Sequence, residues 1–154
     1  MTNYFQLFEL PVDFDIELAV LEQHYFVLQN KFHPDRYINS GPEVKNEAMR
    51  HSILLNEGYN TLKDDFKRAE HLLSLCGINI DEGEKLVAPD ILMEVMDLQE
   101  QLIDVNLEQR NILIKDVVGK IKVLYNDFSH LYKRVDLEAA HQVLLKIKYY
   151  SKII

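Results

Sequence analysis

Gln29-Asn30-Lys31-Phe32-His33-Pro34-Asp35-Arg36-Tyr37 decides how this chain is read. Upstream, Leu18, Leu21, Tyr25, Leu28 and Phe32 recur at the spacing of one helical face. Pro34 cannot continue that helix and biases His33 away from helical geometry, so the helix stops after Phe32. Downstream, Ser40-Gly41-Pro42-Glu43 opens a second helix. Ser40 and Glu43 have the capping-box form, and Pro42 stands early, where its missing N–H does no harm. The second helix carries Leu55-Asn56-Glu57-Gly58-Tyr59-Asn60-Thr61-Leu62. The prediction is a helical hairpin with His33-Pro34-Asp35 on a short, constrained connection that aims Asp35 outward.

Working outward, everything reads as helix. Gly and Pro stand at punctuation points: Pro11 after a short apolar segment, Gly77 after a run of Leu, Pro89 at a helix start. The first half is predicted to hold helices over 4–10, 15–32, 43–62 and 65–76, with Gly77 as a left-handed C-terminal cap. The polar stretch 78–88, with Gly83, reads as a linker. Helices are predicted over 89–106, 108–132 and 137–153, the last with Asp136 as N-cap. Three helices with short connections imply an antiparallel bundle. The expected fold is all-α, with an N-terminal domain over 1–77, the linker 78–88 and a three-helix domain over 89–154.

The chain's 154 residues allow one ordinary domain or two small ones, and 47% apolar with 27% charged residues is a globular profile. No apolar run approaches the ~20 residues that cross a bilayer, and the N-terminal Met1-Thr2-Asn3-Tyr4-Phe5-Gln6-Leu7-Phe8 lacks the features of a targeting peptide. Cys76 alone excludes a disulfide framework within the chain and fits a reducing, cytoplasmic setting. A net charge of −8, spread over both halves, opposes broad contact with nucleic acid or anionic membrane.

On its own, His33-Pro34-Asp35 could be a helix-ending proline between two polar residues. As a metal site it lacks a third ligand nearby. A carboxylate held outward on a short loop can, however, reach an arginine on a partner with little ordering cost. Tyr4-Phe5-x-x-Phe8-x-Leu10 before the hairpin and Leu55-Asn56-x-x-Tyr59-x-x-Leu62 within it complete a pattern that resembles the J-domain, the module that triggers ATP hydrolysis in DnaK-class chaperones. The resemblance implies that Asp35 contacts the chaperone, with His33 and Pro34 shaping the loop and adding contacts. J-domains typically have a basic second helix; here His24, Lys31 and Arg36 supply that sign against Glu17 and Glu22, with Lys45 and Arg50 as further candidates. Gly58 stands where the family usually has Ala, a change that costs about 1 kcal/mol of helix propensity.

Arg68-Ala69-Glu70-His71-Leu72-Leu73-Ser74-Leu75-Cys76-Gly77, followed by Leu92-Met93-Glu94 and an acidic helix, is similar to the HscB family, J-proteins dedicated to iron–sulfur cluster biogenesis. The likeness extends over essentially the whole chain. As plain packing, Leu72, Leu73 and Leu75 are expected to be buried whatever the function.

The helix over 89–106 has two apolar stripes on a wheel of about 100° per residue. Ile91, Val95, Leu98, Leu102 and Val105 form a core line. Leu92, Met96 and Ile103 form a second line, with Met93 slightly beyond it and Asp97, Glu100 and Asp104 along its far side. A bundle burying a wide arc could absorb Leu92 and Ile103 as edges. Methionines beside carboxylates suit an adaptable binding surface. The resemblance implies that Leu92, Met93, Met96, Asp97, Glu100 and Asp104, with Tyr149 on the last helix, hold the scaffold protein IscU. Met96 and Asp97 replace the Leu and Glu that the family often shows.

His24, His51, His71, His130 and His141 are scattered and read as surface or cap residues rather than ligands, and no catalytic or metal motif is found. The expectation is a cytoplasmic, monomeric co-chaperone, not an enzyme, without cofactor, that carries IscU to an HscA-type chaperone and stimulates its ATPase. A J-protein with another client is one alternative. A small helical enzyme using His33 and Asp35 is another, which a buried Asp35 would support and an exposed one would oppose.

Overall fold

Asn3 starts the first helix: its side-chain oxygen accepts from the backbone N–H groups of Phe5 and Gln6. The computed structural model of the protein describes residues 1–80 and 88–154, in two compact units, Met1–Cys76 and Gly77–Ile154. Residues 81–87, most of the expected linker, lie outside the described residues.

The first unit contains α1 (Tyr4–Leu7), α2 (Leu18–Phe32), a 3-10 turn (Pro34–Tyr37), α3 (Pro42–Lys63) and α4 (Asp65–Leu75). α2 and α3 form the hairpin, α1 lies on α3, and α4 also packs against α3. Phe5, Phe8, Leu21, Leu62, Leu72 and Leu73 are completely buried. Each contributes roughly 1.5–3 kcal/mol of burial. Leu75 is half-buried, and Leu18, expected on the packed face, is 48% exposed. α2 begins three residues later than expected, with Glu17 as an N-cap that makes no side-chain bond.

Ser40 does not form the expected capping box. Pro42 occupies the first helical turn, so the N-cap falls on Gly41, without a side-chain bond. The Ser40 N–H instead bonds to the Tyr37 carbonyl. Gly77 takes the left-handed conformation, φ +84°, as its place after α4 predicted.

Two polar side chains hold the first unit together. Arg68 is 5% exposed: Nε donates to the Phe14 carbonyl at 2.8 Å, Nη1 to the Leu62 carbonyl at 2.7 Å and Nη2 to Asp65 at 2.8 Å. Its guanidinium also lies over the Phe14 ring. His71, expected as a surface or cap residue, is buried. Its Nε2 accepts the Tyr4 N–H at 3.2 Å, satisfying a first-turn donor of α1, and its ring stacks on Tyr4. Burial lowers the His71 pKa.

Gly58 is a contact rather than a helix defect. A Cβ there would stand 2.9 Å from the Tyr4 ring and 3.0 Å from Phe8, so its absence lets α1 rest on α3.

The second unit contains α5 (Pro89–Gln101), α6 (Leu107–Lys133) and α7 (Leu137–Ser151). α6 and α7 form a long hairpin, with Phe128, Leu144, Leu145 and Ile147 completely buried. α5 closes one end over Val95, Val117, Tyr150 and Ile153, with Ile91, Leu98 and Leu102 packed alongside. Asp136 caps α7 through the Ala139 N–H, and Asn106 caps α6 through the Gln109 N–H.

That second cap corrects the expected helix over 89–106. Asn106 must sit in extended geometry to cap α6, so α5 ends at Gln101. Ile103, Asp104 and Val105 therefore lie in the turn that follows, and their places on the helical wheel do not apply.

Candidate functional sites on the two units

Each unit presents a constellation of its own. On the first, α2 ends where His33 turns extended, φ −61° and ψ 131°, the geometry a residue before proline prefers. Pro34 then leads a single 3-10 turn, and the Tyr37 hydroxyl donates to the Lys31 carbonyl at 2.9 Å, tying the turn to α2. His33 Nδ1 accepts the Asp35 N–H at 3.2 Å. A nitrogen used as acceptor carries no proton, so its 3.5 Å approach to Oδ2 of Asp35 is not an ion pair. The imidazole shapes the turn, and the Asp35 carboxylate stands 81% exposed.

The other expected chaperone contacts are spread around this turn. Lys31 and Arg36 are exposed, the Lys31 ammonium lying 5.4 Å from the centre of the Phe32 ring. His24 is half-buried, its Nδ1 bonded to the Phe8 carbonyl, so it serves the seam between α1 and α2. Lys45 and Arg50 are exposed on α3. An Asp35 this open to water has no cleft in which to act as an acid or base, which counts against the enzyme alternative.

On the second unit, Met93 and Met96 are 66% and 67% exposed, one turn apart on α5. Asp97 and Glu100 follow them by four residues each and are exposed, and Leu92 beside them is half-buried. Asp104 and Ile103 are exposed beyond the helix end, Ile103 by 76%. Tyr149 is half-buried against the α5 end of the core, its ring under the Lys152 ammonium at 5.0 Å.

A carboxylate that sequence reasoning passed over positions this helix. Glu94 lies on the packed side of α5, where its Oε2 accepts from the Tyr150 hydroxyl at 2.7 Å and its Oε1 pairs with Lys120. The hydrogen bonds from Lys120 and then Tyr150 lower the Glu94 pKa. The usable signal was Glu94 next to Val95 at the edge of the core line, where a half-buried carboxylate needs a partner. Among the described residues, no group of three or more His, Cys, Asp and Glu could hold a metal ion, and no helix is long and apolar enough to cross a membrane.

Comparison with known proteins gives one answer for the whole chain. Residues 87–154 match the family model described as the HSCB C-terminal oligomerisation domain. A co-chaperone protein HscB homolog of Shewanella denitrificans is 35% identical over 98% of this chain and 92% of its own. The crystal structure of human co-chaperone HscB superposes with a TM-score of 0.93 at 30% identity, covering 99% of this chain and 79% of that one. Chaperone HscB from Vibrio cholerae gives 0.86 at 28% identity, covering 98% and 92%. Fold and likeness together define an all-α co-chaperone, a J-domain followed by a C-terminal helical domain. The chain belongs to the HscB family, co-chaperones of iron–sulfur cluster assembly.

Proposed function

We propose that this chain binds an IscU-type scaffold protein through its second unit, delivers it to an HscA-type member of the DnaK class through its first, and stimulates that chaperone's ATPase. The J-domain spans 1–77, the linker 78–88 and the client-binding domain 89–154. Asp35 contacts the chaperone, with His33 and Pro34 shaping the turn and Lys31, Arg36 and His24 around it. Leu92, Met93, Met96, Asp97, Glu100, Asp104 and Tyr149 receive the scaffold. The chain works as a cytoplasmic monomer that makes and breaks no bonds and needs no cofactor, its association being with the scaffold. Holding both partners on one chain raises the effective concentration of client at the chaperone.

The observation that carries this reading is the Asp35 carboxylate, 81% exposed at the apex of a turn held from both sides. Steady-state ATPase of an HscA-type chaperone, titrated with this chain with and without scaffold, tests it. Stimulation that rises further when scaffold is added is expected. A chaperone indifferent to the chain would refute the reading.

A further inference from the structure

We propose that the second unit carries a binding site for a medium-chain aliphatic carboxylate, in the pocket where α5, α6 and α7 meet and away from the methionine pair. The pocket has a volume of about 450 Å³, within the roughly 300–1,000 Å³ of small-molecule sites. Ile91 of α5, Val123 and Leu124 of α6 and Tyr150 of α7 give it an apolar lining. Its charged residues are Glu94, Lys120 and Lys146.

Two of those charges cancel. Glu94 and Lys120 form an ion pair, and the Tyr150 hydroxyl donates to the other carboxylate oxygen. Lys146 is half-buried and has no hydrogen bond or ion pair among the described residues. The lining therefore joins an apolar surface to one unmatched positive charge, in a chain of net charge −8. A ligand that fits has an anionic head for Lys146 and an apolar body for the rest. One ammonium balances a single negative charge, and the acidic protein around it repels a polyanion. A carboxylate on an alkyl chain meets both conditions.

Gly119 lines the same pocket from the middle of α6, where glycine weakens a helix. Packing does not require it: unlike Gly58, a Cβ at this position would meet nothing within 4 Å. Its lack of a side chain leaves the pocket open between Lys120 and Val123. On α5, Ile91 and Glu94 lie about 160° around the helix from Met93 and Met96. An occupant of the pocket therefore leaves the methionine surface uncovered.

The test adds sodium octanoate to the full chain, as wild type, as Lys146→Gln and as Gly119→Leu, and reads binding by calorimetry and amide chemical shifts. 1-Octanol serves as the uncharged probe. Wild type should bind one octanoate per chain with a Kd of about 1 mM or lower, shifting the signals of Ile91, residues 119–124 and Tyr150. Octanol should bind at least about fivefold more weakly. Lys146→Gln removes the charge and should bring octanoate down to the octanol level. Gly119→Leu fills the pocket and should lose both probes while keeping helical circular dichroism; should that variant not fold, Lys146→Gln alone decides. No saturable binding of octanoate by wild type overturns the site, as does equal binding by wild type and Lys146→Gln. Shifts confined to Met93 and Met96 also overturn it, because they place the probe on the exposed methionines.

Discussion

The Tyr150 hydroxyl donates a 2.7 Å hydrogen bond to Glu94, 56 residues away in sequence, tying the last helix to the one that carries Met93 and Met96. Lys120 of α6 pairs with the other oxygen of the same carboxylate, so three helices meet at one side chain. The partly exposed methionines are therefore mounted on a helix whose rotation is set by polar contacts as well as by packing.

Tyr150→Phe keeps the buried ring and removes only the hydrogen bond. Stability should fall by about 1 kcal/mol, read from the urea midpoint at unchanged slope. Stimulation of the chaperone without scaffold should stay at the wild-type level, because the change is confined to the second unit.

Acid should loosen the first unit through His71. Its pKa is lowered by burial, so below the ordinary imidazole value near 6.5 the unfolded chain binds more protons than the folded one. Stability therefore falls as pH drops below about 6.5 and stops falling once pH is under the folded value. His71→Gln should melt lower than wild type at pH 7.5 but lose less on going to pH 5.5. Equal losses in the two proteins would show that His71 does not set the slope.

Arg68→Lys keeps the charge but cannot reproduce the three-way fork to the Phe14 carbonyl, the Leu62 carbonyl and Asp65. Two buried acceptors lose their donors, and the cost should be about 3 kcal/mol in denaturant unfolding.

Met93→Ala with Met96→Ala should weaken scaffold binding by about 1–4 kcal/mol, measured by calorimetry. Both side chains face water, so thermal stability should hardly change, whereas truncating a buried Leu or Met costs about 2–5 kcal/mol. A large drop in melting temperature would show that these side chains pack inward.

Features specified by a few neighbouring residues were legible in the chain. Pro34 ends α2, Gly77 ends the first unit's last helix with a positive φ, and Asp136 starts α7, because each acts through its own backbone. Competition between neighbours was harder to see. Pro42 moved the cap of α3 from Ser40 to Gly41, and Asn106 took residues 102–106 away from α5. Long-range polar contacts were not legible at all: Arg68 meets Phe14 across 54 residues and His71 meets Tyr4 across 67. Gly58 looked costly for the same reason, since Tyr4 and Phe8, which need the space, lie on a remote helix.

In the proposed function, an outward carboxylate on one unit drives the chaperone while the other unit holds the client. Asp35→Asn removes that charge without touching a packed atom, and ATPase stimulation measured beside scaffold binding reads both units at once. Stimulation should fall to the basal rate with scaffold affinity unchanged. Stimulation by Asp35→Asn equal to wild type would contradict it.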